Sequence, residues 1–278
     1  MIKNFLVSIV IPTYNNQDII ERLLISIKNQ SCPNIETIVV DDGSKDLTAD
    51  ISRKYTSKVF VRKHSERSVQ RNFGASKSKG TFLLFLDSDM ELTKRVVADC
   101  VRKMKNSKNI GGIVIPEKSV AINYWEKVKA FERSFYNEKG DDSTDAARFF
   151  RREAFEKVGS YDETITGPED WDLPESIKKH GYEIVRIKSK ILHHERILNL
   201  PPLIKKKYYY ALKSHVYLKK QNISAFSPKT IYFLRPVFYK NWRKFLSNPL
   251  LSIGMFIMLT LELFGGGLGF LVGKFTNK

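Results

Sequence analysis

Two apolar runs, each ending in carboxylates, constrain this chain more than any other feature. Residues 35–40 lead directly into Asp41-Asp42-Gly43-Ser44, and residues 81–86 into Asp87-Ser88-Asp89. A continuous apolar strand suits a parallel sheet covered on both faces. Strand and helix signals alternate around these runs. Residues 5–11 form a β-rich segment closed by Pro12. Ile19, Ile20, Leu23, Leu24 and Ile27 then repeat at helical spacing, with Asn16 or Asp18 as N-cap. A short helix to about Tyr55 follows the Asp41–Asp42 turn, with Ser44 as its cap. A strand at 59–61, a helix at 70–78, a helix at 94–105 and a strand at 112–115 continue the pattern. The alternation predicts a doubly wound α/β sheet. In such sheets ligands bind beyond the carboxyl ends of the strands, where both acidic motifs fall.

Beyond Pro116 the spacing predicts a helix over 125–139, a strand over 147–150 and a helix over 152–158 stopped by Gly159. A third acidic cluster, Gly167-Pro168-Glu169-Asp170-Trp171-Asp172, precedes a helix that Gly181 ends, then a strand over 182–187. His193-His194 closes a later strand. A Rossmann-like nucleotide half and an acceptor half are expected to share one sheet.

Each motif has a plain reading beside its chemical one. A strand-end carboxylate such as Asp41 or Asp42 accepts hydrogen bonds from a ribose or a base, or it simply closes a turn. Asp87-Ser88-Asp89, read as an extended tripeptide, puts two carboxylates on alternate sides. One then faces a hard cation and the other a ribose. Mg²⁺ or Mn²⁺ is commonly held by one or two carboxylates plus substrate phosphates, so Asp87 and Asp89 suit a metal–diphosphate site. His193 or His194 can add a ligand, and a purely structural role fits either ring equally well. Arg71 is a cation for a nucleotide phosphate or one charge on a solvated helix face.

These residues together resemble glycosyltransferase family 2, whose members are inverting enzymes of the GT-A fold. The resemblance runs from about Val7 to His194. It rests on Val10-Ile11-Pro12-Thr13-Tyr14-Asn15, the Asp41–Ser44 turn, Arg71-Asn72 with Gly74, Asp87-Ser88-Asp89, residues 155–162, and Glu169-Asp170-Trp171-Asp172-Leu173. It implies a GT-A type doubly wound mixed sheet and a nucleotide-diphosphate sugar donor. By position, Pro12, Tyr14, Asn15, Asp41, Asp42, Arg71 and Asp87 form the nucleotide-binding set. Asp89, with Asp87 and His193, is the expected ligand set for Mn²⁺ or Mg²⁺. Asp170 is the expected base that takes the acceptor proton, and Glu169 supports it. Two positions depart from the family pattern: Pro174 interrupts the run after Leu173, so the helix is expected to start there, and Ser176 replaces a frequent Arg.

The 278 residues carry a net charge of +17, unevenly placed. Residues 201–248 hold eleven Lys/Arg and no Asp or Glu, interleaved with Tyr208, Tyr209, Tyr210, Tyr217, Tyr239 and Trp242. Residues 249–273 then carry a single charge, Glu262, over about the length of a bilayer crossing. The domain reading is a glycosyltransferase domain over 1–200, a basic–aromatic juxtamembrane segment over 201–248 and a transmembrane or re-entrant segment over 249–273. The Lys/Arg excess places the catalytic part on the cytoplasmic side. Gly265-Gly266-Gly267 and Glu262 are expected to weaken a regular span. Cys32 and Cys100 lie far apart without metal-like spacing, which fits a reducing compartment, and residues 1–11 do not read as a signal peptide.

The expected function is transfer of a sugar from a nucleotide-diphosphate donor to a hydroxyl of a lipid-linked or other membrane-proximal acceptor. A polyprenyl-phosphate acceptor is the alternative. An anionic phosphate needs no general base, so Glu169-Asp170 counts against it. A non-enzymatic module binding anionic membranes or nucleic acid rests on charge alone, and no nucleic-acid partner is expected.

Overall fold

The computed structural model describes residues 5–137, 140–141 and 144–276. Residues 1–4 and Lys139, at the end of one predicted helix, lie outside them. In chain order the elements are β1 (Val7–Thr13), α1 (Ile20–Lys28), β2 (Ile35–Asp41), α2 (Thr48–Arg53), β3 (Val59–Val61), α3 (Arg67–Ser76), β4 (Phe82–Phe85), β5 (Met90–Leu92) and α4 (Val96–Lys105). They continue with β6 (Ile110–Val114), β7 (Glu117–Val120), α5 (Tyr124–Ser134), β8 (Ala147–Arg151), α6 (Arg152–Lys157), α7 (Glu169–Lys179), β9 (Glu183–Arg186) and β10 (Ile191–His194). The C-terminal part holds α8 (Leu200–Ala211), α9 (Ser214–Gln221), a 3₁₀ turn at Tyr232–Leu234, α10 (Pro236–Lys240), α11 (Arg243–Ser247) and α12 (Pro249–Thr276). The chain divides into two compact units. The first comprises residues 1–117, 146–163 and 170–193; the second comprises 118–145, 164–169 and 194–278. The second unit thus gathers pieces from the middle of the chain, whereas the sequence suggests a boundary near residue 200.

In the first unit seven strands form one mixed sheet in the order β3-β2-β1-β4-β8-β6-β9. The expectation of one shared sheet holds, since β8 and β9 join the strands of the nucleotide half. β1 pairs parallel with β2 and with β4, and β8 runs antiparallel to both β4 and β6. Alternation along each strand builds two cores. Phe82, Leu84 and Phe149 pack on one face with α1 and α4 residues such as Leu23 and Val97. Leu83, Phe85 and Phe150 pack on the other with Ala75, Phe155, Leu173 and Ile177. Both faces are covered, which is why β4 and residues 38–40 of β2 read as unbroken apolar runs.

Several local expectations are corrected. Neither Asn16 nor Asp18 caps α1: Ile19 is its N-cap, and the Asn16 carbonyl accepts from Ile19 and Ile20 N–H at 3.1 and 3.0 Å. Ser44 does not cap α2, whose N-cap is Leu47; it donates to Asp41 instead. α7 starts at Glu169, not at Pro174, which lies inside it. Proline there removes the N–H that would donate to the Asp170 carbonyl, but burial of Leu173 and Ile177 carries the helix through. β5 and β7 were not legible in the sequence. The two glycine stops hold, with Gly159 and Gly181 both at positive φ.

The second unit is helical around an aromatic and methionine core of Val128, Phe131, Phe135, Phe238, Met255, Met258 and Leu259. Asn123 and Glu126 form a capping box at the start of α5. The glycines at 265–267 do not break α12, which is one helix of 28 residues, long and apolar enough to cross a membrane by length and composition.

Close packing at Gly74 holds α3 on the sheet. A Cβ there would fall 2.3 Å from Val10 Cγ1 and 3.1 Å from Val40 Cγ2. Gly74→Val should therefore destabilise the first unit by about 1–3 kcal/mol through overpacking, read as a lower urea midpoint. An unchanged midpoint would show that α3 does not approach β1 this closely.

Candidate active site

The carboxyl ends of β1, β2 and β4 carry the Pro12–Asn15, Asp41–Asp42 and Asp87–Asp89 motifs, while Arg71 comes from α3, Asp170 from α7 and His193 from β10. Asn15 sits in the left-handed region at φ 49°, a conformation asparagine tolerates well. Its N–H donates to Ser44 Oγ at 2.8 Å and its side-chain oxygen accepts from Lys45 N–H at 2.9 Å, stitching the β1 loop to the β2 loop. Asp41 is fully buried and accepts from the backbone and hydroxyl of Ser44, so its carboxylate closes a turn. Asp42 accepts from Ser65 N–H at 2.9 Å and from the Gln70 amide, and lies 2.6 Å from His64 Nδ1. The His64 ring packs against Tyr14 with centroids 5.2 Å apart. Tyr14 is 44% exposed, so this pair makes an open aromatic edge beside a carboxylate. The Pro12 carbonyl accepts from Ser88 Oγ at 3.4 Å, which ties β1 to the second acidic motif.

Asp87-Ser88-Asp89 is a turn rather than an extended tripeptide, because Met90 N–H donates back to the Asp87 carbonyl at 3.1 Å. The two carboxylates still diverge, and an alternating chain of charges joins them. Arg71 donates from Nη1 to Asp170 at 2.6 Å and from Nη2 to Asp87 at 3.0 Å. Arg148 donates from Nη1 to the other Asp87 oxygen at 3.4 Å and from Nε to Glu117 at 2.8 Å. The second Glu117 oxygen lies 3.0 Å from His193 Nδ1, and His193 Nε2 lies 3.6 Å from Asp89 Oδ2. The order is therefore Asp170, Arg71, Asp87, Arg148, Glu117, His193, Asp89, with sign reversing at each step when His193 is protonated.

Arg71 is not on a solvated helix face. It is completely buried, and it faces Asp87 and Asp170 rather than open solvent. The Tyr161 ring lies 5.2 Å from its guanidinium carbon, and Asn72 holds that tyrosine by donating to its carbonyl at 2.8 Å and accepting from its N–H at 3.0 Å. The neighbouring Arg71-Asn72 pair thus divides the work: one residue carries the charge, the other fixes the ring beside it. Asp170 keeps 22% of its side chain exposed while Arg71 engages one oxygen. Glu169, one residue earlier, is 2% exposed.

Arg148, Glu117, His64 and Gln70 were missed by sequence reasoning. Arg148 had a signal: it is the one charge in the predicted strand over 147–150, between Ala147 and Phe149, and a charge so placed needs a partner when the strand is buried. Glu117 had none. Among the described residues no three His, Cys, Asp or Glu side chains are preassembled to hold a metal ion. His194 also falls outside the charge chain just described.

Burial pushes the Asp87 carboxyl up, but the guanidiniums of Arg148 and Arg71, then Arg67, and finally His193 outweigh it and hold the group well below the usual carboxylate range. The sign of the stability effect follows. A carboxylate with a depressed folded pKa stabilises the fold above its unfolded value of about 3.9 and loses that contribution as pH falls through the folded one. Asp87→Asn should lower the urea midpoint at neutral pH, and its deficit should shrink as pH drops below about 4. A deficit that stays constant across that range would show that the ion pairs of Asp87 are not its source.

Comparison with known proteins agrees with this geometry. The family model for glycosyl transferase family 2 matches residues 8–159, more than half of the chain. The putative teichuronic acid biosynthesis glycosyltransferase TuaG of Bacillus subtilis is 39% identical over 90 residues, 30% of this chain and 36% of that protein. An uncharacterized glycosyltransferase of Rickettsia typhi is 28% identical over 210 residues, 69% of this chain and 63% of that one. The chain thus spans less than two thirds of these relatives. Among solved structures, the mannosyltransferase PcManGT from Pyrobaculum calidifontis in complex with GDP-Man and Mn²⁺ superposes with a TM-score of 0.57 at 18% identity, over 91% of this chain and 74% of that one. S. aureus TarS superposes with the same score of 0.57 at 17% identity, over 94% of this chain and 55% of that one. At such identities the likeness shows the fold, and that fold is of the GT-A type. Family-model coverage over the β1–α6 region, which holds Arg71, Asp87 and Arg148, settles the rest: the chain belongs to glycosyl transferase family 2.

Proposed function

We propose that this protein is an inverting glycosyltransferase that moves a sugar from a nucleotide-diphosphate donor to a hydroxyl of a lipid-linked or other membrane-proximal acceptor. One observation carries the reading: a single buried guanidinium, Arg71, orients both Asp87 of the strand-end motif and Asp170 of α7. Nucleotide-side and acceptor-side carboxylates are thereby fixed relative to each other. Solved relatives are described in complex with GDP-Man and Mn²⁺, with UDP and with UDP-GlcNAc, which supports a nucleotide-sugar donor.

The chain's own groups suit that chemistry. Tyr14 offers an exposed ring for a base to stack on, and Asp42 and Asp87 offer acceptors for base and ribose donors. Asp170, held at one oxygen by Arg71 and open to solvent at its edge, takes the proton of the attacking hydroxyl. General-base assistance of this kind contributes on the order of 10²–10⁴-fold. A divalent cation, when bound, would stabilise the departing diphosphate as a Lewis acid. The donor set fits one. Asp89 supplies oxygen, and His193 has its Nδ1 engaged by Glu117, so its Nε2 faces Asp89. A histidine oriented by a carboxylate on its far nitrogen is a common metal ligand. Asp87, already shared by two guanidiniums, is better placed toward the nucleoside than toward the ion. The basic tract over 201–248 and the apolar α12 support membrane association, with the catalytic unit on the cytoplasmic side.

Asp170→Asn keeps the shape of the side chain but cannot take a proton, so turnover should fall at least about a hundredfold while donor binding persists. Glu169→Gln should be milder. If Asp170→Asn stays within a few-fold of the parent, the base assignment fails and an already anionic phosphate acceptor becomes the better reading.

Asp89→Ala should abolish the gain in nucleotide affinity on adding Mn²⁺ and leave metal-free affinity unchanged, whereas Asp87→Ala should weaken binding with or without metal. Calorimetry with the nucleoside diphosphate separates the two. A full Mn²⁺ effect in Asp89→Ala would sink the metal assignment.

A further inference from the structure

α12 is two-faced along its whole length. Its buried side carries Ser252, Met255, Met258, Leu259 and Glu262, continued by Gly265, Gly269 and Gly273. Its exposed side carries Leu250, Ile253, Ile257, Phe264, Leu268 and Phe275. At 3.6 residues per turn these six fall within a sector of about 60°, which the exposed Phe256 and Val272 widen to about 160°. The exposed polar residues of α12 are Thr260, Lys274 and Thr276 alone. A strip of this kind about 42 Å long on the surface of a unit is far more than scattered surface hydrophobics, and such patches mark interaction sites.

The buried side says how the helix can meet a bilayer. Cβ atoms added at Gly265, Gly269 and Gly273 would fall 2.7 Å from Ile204 Cγ2, 2.2 Å from Tyr208 O and 1.8 Å from Leu212 O. Both sets of positions advance by four in the same direction, so α8 runs parallel to α12 with backbones in contact. α8 carries Lys205 and Lys206 exposed on its outer side. Glu262 sits at the midpoint of α12 and is 1% exposed. Lys129 reaches its Oε1 at 3.2 Å and Lys207 its Oε2 at 3.2 Å. The cluster extends through Glu132, which lies 2.9 Å from Lys129 and 3.6 Å from Arg235. If α12 crossed the membrane by itself, its midpoint would lie at the centre of an apolar layer about 30 Å thick. Glu262, Lys129, Lys207 and the exposed Lys205 and Lys206 would go with it, and ionised groups at that depth are strongly disfavoured.

We propose that α12 does not cross the bilayer but lies along the cytoplasmic surface of an anionic membrane, its exposed apolar face sunk into the headgroup–acyl boundary and its opposite face, with Glu262, packed on α5 and α8. The occupant of the exposed strip is lipid. The second unit supplies the complementary charge: eleven Lys/Arg and no acid over residues 201–248, with exposed Trp242, Tyr239 and Leu246 close before α12 in sequence. A helix with one apolar face, flanked by basic and aromatic residues, binds in the plane of a membrane. This inference rests on the membrane association proposed above and specifies its geometry. The glycines follow from the same requirement, since they let α12 rest on α8 and leave its opposite face for lipid.

The test is single-cysteine labelling of the full chain in inside-out membrane vesicles from expressing cells, with a membrane-impermeant maleimide. Cys32 and Cys100 are buried and give little background. Ser247→Cys precedes the apolar strip, Lys274→Cys lies beside its C-terminal end, and Phe264→Cys and Leu268→Cys lie within it; all four sites are exposed, so the fold should tolerate them. In-plane binding predicts equal labelling of Ser247→Cys and Lys274→Cys in intact vesicles, with Phe264→Cys and Leu268→Cys protected. Labelling of Lys274→Cys only after the vesicles are opened would overturn the inference in favour of a crossing. Protection of Phe264→Cys and Leu268→Cys that survives removal of lipid would overturn it in favour of a second copy of the chain. Protein recovered wholly in the low-salt supernatant would instead overturn the membrane association itself.

Discussion

The Arg71 guanidinium is the constraint on which the site depends. It is buried without any exposed surface, and it bridges the motif at the end of β4 to the first turn of α7. Removing a charge from water costs several kcal/mol unless partners restore what hydration supplied. That penalty makes the arrangement all-or-none: a buried Arg71 requires Asp87 and Asp170, and each carboxylate is positioned by the same planar fork. Arg148 repeats the device from β8, reaching Asp87 on one side and Glu117 on the other. Replacing either arginine by lysine would not be conservative, because an ammonium cannot span two carboxylates with a rigid geometry.

The sheet explains why these groups meet. β1, β2 and β4 are parallel neighbours, so their carboxyl ends and the acidic motifs that follow open on the same edge. β8 enters antiparallel beside β4. Its Arg148 therefore approaches Asp87 from the opposite chain direction. The turn at Asp87-Ser88-Asp89 then points one carboxylate toward the arginines and the other toward His193. Divergence comes from the turn, which gives the two carboxylates different partners without needing an extended backbone.

The second unit applies the same physics to a different end. Glu262 is the lone charge of an apolar helix, and two lysines with a further Glu–Arg pair compensate it inside the unit. Such a network fixes rotation: only one face of α12 can turn inward, so the other is committed to the outside. Packing through glycine lets α8 approach close enough to complete the fit.

The sequence by itself determined most of the first unit. Strand runs without polar alternation, helical spacing after each, and glycines after α6 and α7 placed its principal elements, because these signals are local and the backbone obeys them locally. It also marked the acids at the strand ends, of which Asp87 and Asp89 join the chain of charges and Asp41 closes a turn. The caps of α1 and α2 and the start of α7 were not legible, because burial of Leu173 and Ile177 and side-chain bonds from distant loops outweighed short-range preference. Neither was the role of Arg71, whose helix reads as polar yet is buried, nor that of Glu117, thirty-one positions before the Arg148 it holds. In the second unit, composition announced an apolar helix, but which face it shows was decided by Lys129, Lys207 and the α8 backbone. A charge declares its need for a partner in the sequence; only the tertiary structure, by bringing distant segments together out of water, decides which partner it gets.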